Sequence, residues 1–90
     1  MARREKVTKV IDGDTFETAS RKNPVRLANV DAPEKGQPGA GKATEALRKL
    51  IQGEEVIIDT VARDRYGRSV ANVKVGEKSV NKAMQGKLKK

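Results

Sequence analysis

The chain has 90 residues, 36% of them hydrophobic, with one Tyr, one Phe and no Trp, which suits one small domain with a thin aliphatic core. The absence of Cys and His excludes disulfides, zinc–thiolate sites, cysteine nucleophiles and histidine bases, so any bound metal is expected to be a hard cation held by oxygen. Twenty Lys and Arg against twelve Asp and Glu give a net charge of +8, which favours nucleic acid as a partner over a surface charged only for solubility.

The first third of the chain predicts three strands. Residues 6–11 alternate loosely between polar and apolar side chains, and residues 15–19 continue as a second strand after an Asp-Gly-Asp turn. Residues 25–33 predict a third strand. We expect this strand to stop at Pro33, since a proline restricts the residue before it to extended geometry.

The hydrophobic period then changes from that of a strand to that of a helix. After the Gly- and Pro-rich stretch "EKGQPGAG", apolar residues recur at i, i+3, i+4, i+7 and i+8 between Lys42 and Gln52, which predicts a helix. Gly53 stands where a left-handed C-terminal cap belongs.

The last third predicts two more strands, at residues 54–62 and 69–75, joined by the polar connection "RDRYGR". "VGEK" suits a two-residue hairpin turn, and "SVNKAMQG" predicts one or two helical turns that end at Gly86. Five strands, with one helix between strands 3 and 4 and a short C-terminal helix, are the order of a mainly β OB-fold barrel. We expect residues 1–90 to form this single domain.

Two carboxylates flank a glycine in "DGDT". Taken alone, Asp12-Gly13-Asp14 favours an ordinary hairpin turn over a corner of a cation site, because Asp-Gly is a common turn dipeptide. The EF-hand interpretation fails, since the fifth and sixth positions counted from Asp12 are Phe16 and Glu17, where that loop needs an oxygen ligand and a glycine.

Two further motifs carry charged residues at strand ends. "VRLANVDAPE" supplies Arg26, Asp31 and Glu34, and "DRYGR" supplies two arginines and a tyrosine around a glycine turn. Each motif has an ordinary alternative, namely a surface ion pair and a simple turn. Together, at least two guanidiniums and three carboxylates on one small barrel point to phosphate binding beside a hard cation.

The motifs "VIDGDTF", "VRLANVDAPE", "DRYGR" and "VGEKSVN" resemble, in order and spacing, those of the staphylococcal nuclease-like (thermonuclease) family. The resemblance covers nearly the whole chain. It implies an OB-fold barrel and a Ca²⁺-dependent phosphodiesterase, an endonuclease that cuts DNA and RNA and leaves 3′-phosphate ends.

The resemblance also implies roles for individual residues. Asp14 and Asp31 match Ca²⁺ ligands, and Ala32 matches the residue that gives its backbone carbonyl to the metal. The remaining matches are a general base, two phosphate-binding arginines and two substrate-binding residues: Glu34; Arg26 and Arg68; Tyr66 and Arg65. Asp12 then becomes a turn residue or a support for Asp14.

Two other functions compete with the nuclease. One is a non-catalytic nucleic-acid-binding or interaction module of the same fold, and the other is a basic domain whose motifs only shape the barrel. Non-catalytic members typically lack the carboxylates and arginines, and this chain keeps five of them: Asp14, Arg26, Asp31, Glu34 and Arg68.

The expected partners are single-stranded or unpaired DNA and RNA. No apolar run approaches the ~20 residues that cross a bilayer, so no membrane partner is expected. The basic N-terminus is followed by no apolar stretch of the secretory kind, which predicts a cytoplasmic location, or a secreted one if a leader was removed.

Overall fold

The computed structural model describes residues 3–34 and 36–88, which form six strands and two helices. The strands are β1 (Arg3–Asp12), β2 (Thr15–Thr18), β3 (Val25–Leu27), β4 (Glu55–Arg63), β5 (Ser69–Val75) and β6 (Lys78–Ser79). The helices are α1 (Ala40–Ile51), between β3 and β4, and α2 (Val80–Leu88), after β6. None of the helices in this part of the chain has the length and apolar character needed to span a bilayer.

The first five strands close into a ring. Antiparallel pairing joins β3 to β2, β2 to β1, β1 to β4 and β4 to β5, and a parallel pairing of β3 with β5 completes the circle. This arrangement confirms the predicted mainly β fold with one helix between strands 3 and 4 and a second helix at the C-terminal end.

The third strand is shorter than predicted. It ends at Leu27, whereas the sequence pattern predicted a strand that continues to Pro33. Asn29 takes a left-handed backbone conformation with φ 60°, which no strand can continue through. Residues 28–34 therefore leave the sheet as an irregular segment, and that segment carries part of the candidate site.

The core is aliphatic apart from one phenylalanine and one methionine, and α1 covers it with a single stripe of side chains. Ala43, Leu47 and Ile51 of α1 are buried, at the predicted spacing. Gly53 follows the helix with φ 77°, as predicted for a left-handed cap.

The C-terminal helix is longer than predicted. It continues two residues beyond Gly86, to Leu88, because Leu88 packs against the core and favours a helical position there. The buried Asn81 ties this helix to the ring: its Oδ1 accepts from the N–H of Val73 at 2.7 Å, and its Nδ2 donates to the carbonyls of Ala28 and Ala71 at 2.9 and 3.0 Å. Sequence patterns gave Asn81 no such role.

A buried carboxylate joins the first two strands at one end of the ring. Glu5 accepts hydrogen bonds from Thr18 at 3.0 Å, from Ser20 at 2.8 Å and from both Nε and Nη2 of Arg21 at 2.8 Å. Arg21 also donates from Nη1 to the hydroxyl of Ser69 on β5 at 3.1 Å. Burial by itself would raise the pKa of Glu5, but the hydrogen bonds from these three residues and the charge of Arg21 lower it.

Replacing Glu5 with Gln is expected to lower the free energy of unfolding at neutral pH by about 1–3 kcal/mol, because Thr18, Ser20 and Arg21 lose a charged acceptor that is itself buried. A lowered carboxyl pKa contributes stability above its ordinary value of 4.5 and loses it as the pH falls through the folded-state value. The gap between the native chain and Glu5→Gln should therefore shrink as the pH drops below 4.5. Denaturant unfolding across pH measures it, with the exposed Glu55→Gln as the control. A gap that is constant with pH would contradict this account.

Candidate active site

Residues from four separate segments line one small polar pocket of about 170 Å³. The segments are the turn between β1 and β2, strand β3, the irregular stretch after β3, and the end of the β4–β5 connection. The lining residues are Asp12, Asp14, Arg26, Asp31, Ala32, Glu34 and Arg68. The pocket therefore contains all three predicted metal-ligating residues and all three predicted catalytic residues.

Asp14 is buried at the wall of this pocket, and each of its oxygens already accepts a hydrogen bond. Oδ1 accepts from the hydroxyl of Thr15 at 2.9 Å. Oδ2 accepts from the N–H of Ala32 at 3.2 Å and from Nη2 of Arg26 at 3.4 Å. These donors fix the direction of the carboxylate, which is the requirement for a side chain that holds a cation or orients an arginine.

The turn before Asp14 is shaped by close packing. Oδ1 of Asp12 accepts from the N–H of Asp14 at 3.0 Å, so Asp12 supports the turn. A methyl group at Gly13 would lie 2.6 Å from Cβ of Ala43 and 2.7 Å from Cβ of Ala32, so any larger residue would push α1 and the site apart. Burial and the neighbouring Asp14 carboxyl raise the pKa of Asp12.

The side chain of Arg26 is held by hydrogen bonds to main-chain carbonyls of the segment that follows it. Its Nη1 donates to the carbonyl of Leu27 at 3.2 Å, and its Nη2 donates to the carbonyl of Val30 at 3.0 Å as well as to Asp14. The guanidinium is thus positioned across the irregular segment after β3. An arginine fixed in this way loses little side-chain entropy when it binds an anion.

The segment after β3 presents two carboxylates on either side of Pro33. Asp31 and Glu34 are both exposed. The backbone of Glu34 is fixed, since its N–H donates to Oε1 of Gln37 at 2.8 Å and its carbonyl accepts from the N–H of Gln37 at 2.9 Å. The carboxylate of Glu34 makes no hydrogen bond or ion pair with the groups that the structure describes, which leaves it available to accept a hydrogen bond from a water molecule.

The oxygens available to a cation come from Asp14, Asp31 and the main chain of Ala32. The carbonyl of Ala32 accepts no hydrogen bond from the described residues. Within those residues no three Asp or Glu side chains converge closely enough to form a metal cluster by themselves. The donor set, two carboxylates and a free carbonyl in one polar pocket, fits a hard cation that completes its coordination with water or phosphate oxygens.

Arg68 is oriented by Asp64, a residue to which no sequence pattern assigned a role. Oδ1 of Asp64 accepts from the N–H groups of Tyr66 and Arg68, and Oδ2 accepts from Nε of Arg68 at 2.6 Å. Loss of water would raise the pKa of Asp64, but these bonds and the charge of Arg68 lower it. An Asp three residues before a glycine is a signal for such a turn. Gly67 has φ 81° here.

The two predicted substrate-binding residues lie outside the pocket lining. Tyr66 is 74% exposed, and its ring centroid is 5.5 Å from Cζ of Arg68. Arg65 is exposed on the same loop. Their roles stay predictions, as do those of the pocket residues.

A family model described as staphylococcal nuclease homologue matches residues 24–87. Five of the seven pocket residues fall within that match, and the other two, Asp12 and Asp14, precede it; the five are Arg26, Asp31, Ala32, Glu34 and Arg68.

Curated proteins from several bacteria are also similar to this chain. An uncharacterized endonuclease of Escherichia coli is 40% identical over 70 residues, which cover 76% of this chain and 46% of that protein. An uncharacterized endonuclease of Haemophilus influenzae is 35% identical over 82 residues, covering 88% of this chain and 46% of its own length. A micrococcal nuclease of Shigella flexneri is 38% identical over 72 residues, covering 78% and 41%. The chain thus spans less than half the length of these relatives.

Proposed function

The chain belongs to the family of staphylococcal nuclease homologues, and on that premise we propose that it is a metal-dependent nuclease that hydrolyses phosphodiester bonds of DNA and RNA. One observation carries the proposal. Two arginines and the candidate general base converge with the candidate metal ligands on one pocket, although they come from four segments of the chain. A phosphodiester needs its charge neutralised and a water positioned against phosphorus, and this donor set can do both.

Each of the chain's own residues has a distinct task in the proposed reaction. Arg26 and Arg68 bind the non-bridging oxygens of the phosphate and stabilise the charge that grows on them in the transition state. Glu34 takes a proton from the attacking water, whose oxygen bonds to phosphorus as the bond to the 5′ oxygen breaks. The leaving oxygen keeps that electron pair and takes a proton from solvent, so the products are a 3′-phosphate and a 5′-hydroxyl.

Asp14, Asp31 and the carbonyl of Ala32 are the groups proposed to hold the metal, with Ca²⁺ as the proposed ion. When bound, the cation supplies positive charge that stabilises the transition state. In the structure Arg26 pairs with Asp14 at 3.4 Å, so the same carboxylate lies beside both the candidate cation site and the candidate phosphate-binding arginine.

Digestion of heat-denatured DNA is expected to proceed with Ca²⁺ and to stop when EDTA removes the metal, because the site's carboxylates then repel the phosphate. Mg²⁺ in a third reaction tests the choice of ion. Asp31→Asn should lose activity at Ca²⁺ concentrations that suffice for the native chain, whereas Asp59→Asn, an exposed substitution on β4, should not.

The melting temperature gives an independent readout of metal binding. Saturation with Ca²⁺ should stabilise the native chain by mass action, by ~2.7 kcal/mol at a hundredfold excess over Kd. The same stabilisation should shrink in Asp31→Asn and persist in Asp59→Asn. Unchanged cleavage in EDTA would overturn metal dependence, and binding of DNA without cleavage under any of these ions would favour the non-catalytic module.

A further inference from the structure

A second pocket, of about 200 Å³, lies beside the active site and is lined largely by basic residues. Its lining consists of Arg21, Lys22, Asn23, Arg63 and Ser69. Among the residues that line it there is no carboxylate. We infer that this pocket binds a phosphate group of the polynucleotide other than the one that is cleaved.

The floor of the pocket is formed by the buried Ser69 and the half-buried Arg21, which hydrogen bonds hold in place. Glu5 holds Arg21 through Nε and Nη2, and Nη1 of Arg21 donates to the hydroxyl of Ser69. Ser69 is only 4% exposed, and its own O–H finds no acceptor within residues 3–34 and 36–88. A buried hydroxyl that already accepts from an arginine has its proton left to donate, so it suits an anion rather than a cation.

The rim adds two cations that are not neutralised. Lys22 and Arg63 are both exposed, and within the described residues neither side chain takes part in an ion pair. Glu5 offsets one positive charge from behind the floor, and Lys22 and Arg63 remain as the surplus. Like charges that share a pocket repel one another, and an anion between them relieves the repulsion.

The position of the pocket indicates which anion it takes. Ser69 follows Arg68 directly, so the residue that lines this pocket is next in the chain to one that lines the active site. The turn between β2 and β3 also approaches the β4–β5 connection, since a methyl group on Gly67 would lie 3.5 Å from Nδ2 of Asn23. The two pockets thus share the segment Arg68–Ser69, so a single strand bound at Arg68 has this pocket as a neighbouring position for another of its phosphates.

This inference rests on the proposed function only for the identity of the ligand, a polynucleotide. Its test is accordingly a binding measurement in EDTA, in which cleavage plays no part. The probe is a fluorescent oligothymidylate of about twelve nucleotides, within the range of site sizes known for OB folds. The variants are Lys22→Ala and Arg63→Ala, and the control is Lys74→Ala, an exposed lysine of β5 that lies outside both pockets.

Lys22→Ala and Arg63→Ala are each expected to weaken binding by about threefold or more and to lower the slope of log Kd against log salt by about 0.7, the loss of one phosphate contact on a single strand. Lys74→Ala should leave affinity and slope near those of the native chain. Since all three substituted residues are exposed, the three variants should have the same melting temperature as the native chain.

Two results would overturn the inference. In one, both pocket variants bind the oligonucleotide as Lys74→Ala does. In the other, they lose affinity for inorganic phosphate but keep their affinity for the oligonucleotide, which would make the pocket a site for free anions. Selective weakening by the pocket variants in a chain that never cleaves DNA would uphold this inference and refute the nuclease proposal. If the native chain cleaves DNA but the pocket variants bind the oligonucleotide as Lys74→Ala does, the nuclease proposal would be upheld and this inference refuted.

Discussion

Replacing Glu34 with Gln is expected to lower the turnover number on denatured DNA by about 10²–10⁴-fold, which is the usual contribution of a positioned general base. The amide keeps the size of the side chain and removes its ability to take a proton from water. Since the Glu34 side chain is exposed and makes no contact in the described structure that the amide would break, stability should stay within about 0.5 kcal/mol. Initial rates at saturating DNA, beside melting temperatures, measure both.

The matched control for this substitution is Glu77→Gln, which removes the same charge from the exposed turn between β5 and β6. It should leave turnover unchanged, so a loss shared by both variants would be an effect of net charge. If Glu34→Gln alone cleaved at the native rate, Glu34 would have no part in the chemistry, and another group would have to accept the proton from water.

Replacing Arg68 with Ala is expected to lower kcat by about 10²–10³-fold, the range seen when one donor to transition-state charge is removed. The affinity for single-stranded DNA should change only a few-fold, because the phosphate carries more charge in the transition state than in the ground state. Steady-state rates with metal, beside the binding of an oligonucleotide in EDTA, separate these two effects.

Two control variants test whether the loss of kcat is specific to the Arg68 side chain and its orientation. Arg48→Ala removes another ion-paired arginine, whose Nη1 lies 2.6 Å from Glu45 on the exposed face of α1, and should leave kcat near the native value. Asp64→Asn keeps Arg68 but weakens the contact that orients it, so it should lower kcat by less than Arg68→Ala does. Equal proportional losses of rate and affinity in Arg68→Ala would assign this residue to uniform substrate binding instead.

The sequence by itself determined the elements whose signal is local. The alternation of β1 and β5, the apolar stripe of α1, the left-handed Gly53 and the two-residue turn before β6 each depend on residues within one or two turns of each other. The candidate pocket residues were also named from sequence, although their assignment to roles came through resemblance to a family.

What only the tertiary structure decided depends on contacts between distant parts of the chain. No local pattern could show the parallel pairing of β3 with β5, which closes the ring and brings Arg26 near Arg68. The same holds for the early end of β3, the two additional residues of α2, and the hydrogen-bond network around the buried Glu5. Asp64 and Gly13 both lie in sequence patterns that predict turns. Their contacts, with the Arg68 side chain and with the methyl groups of Ala32 and Ala43 respectively, form only once the ring and α1 are packed. The periodicity of apolar side chains indicates which face of a helix or strand is buried, but it does not indicate which distant part of the chain covers that face.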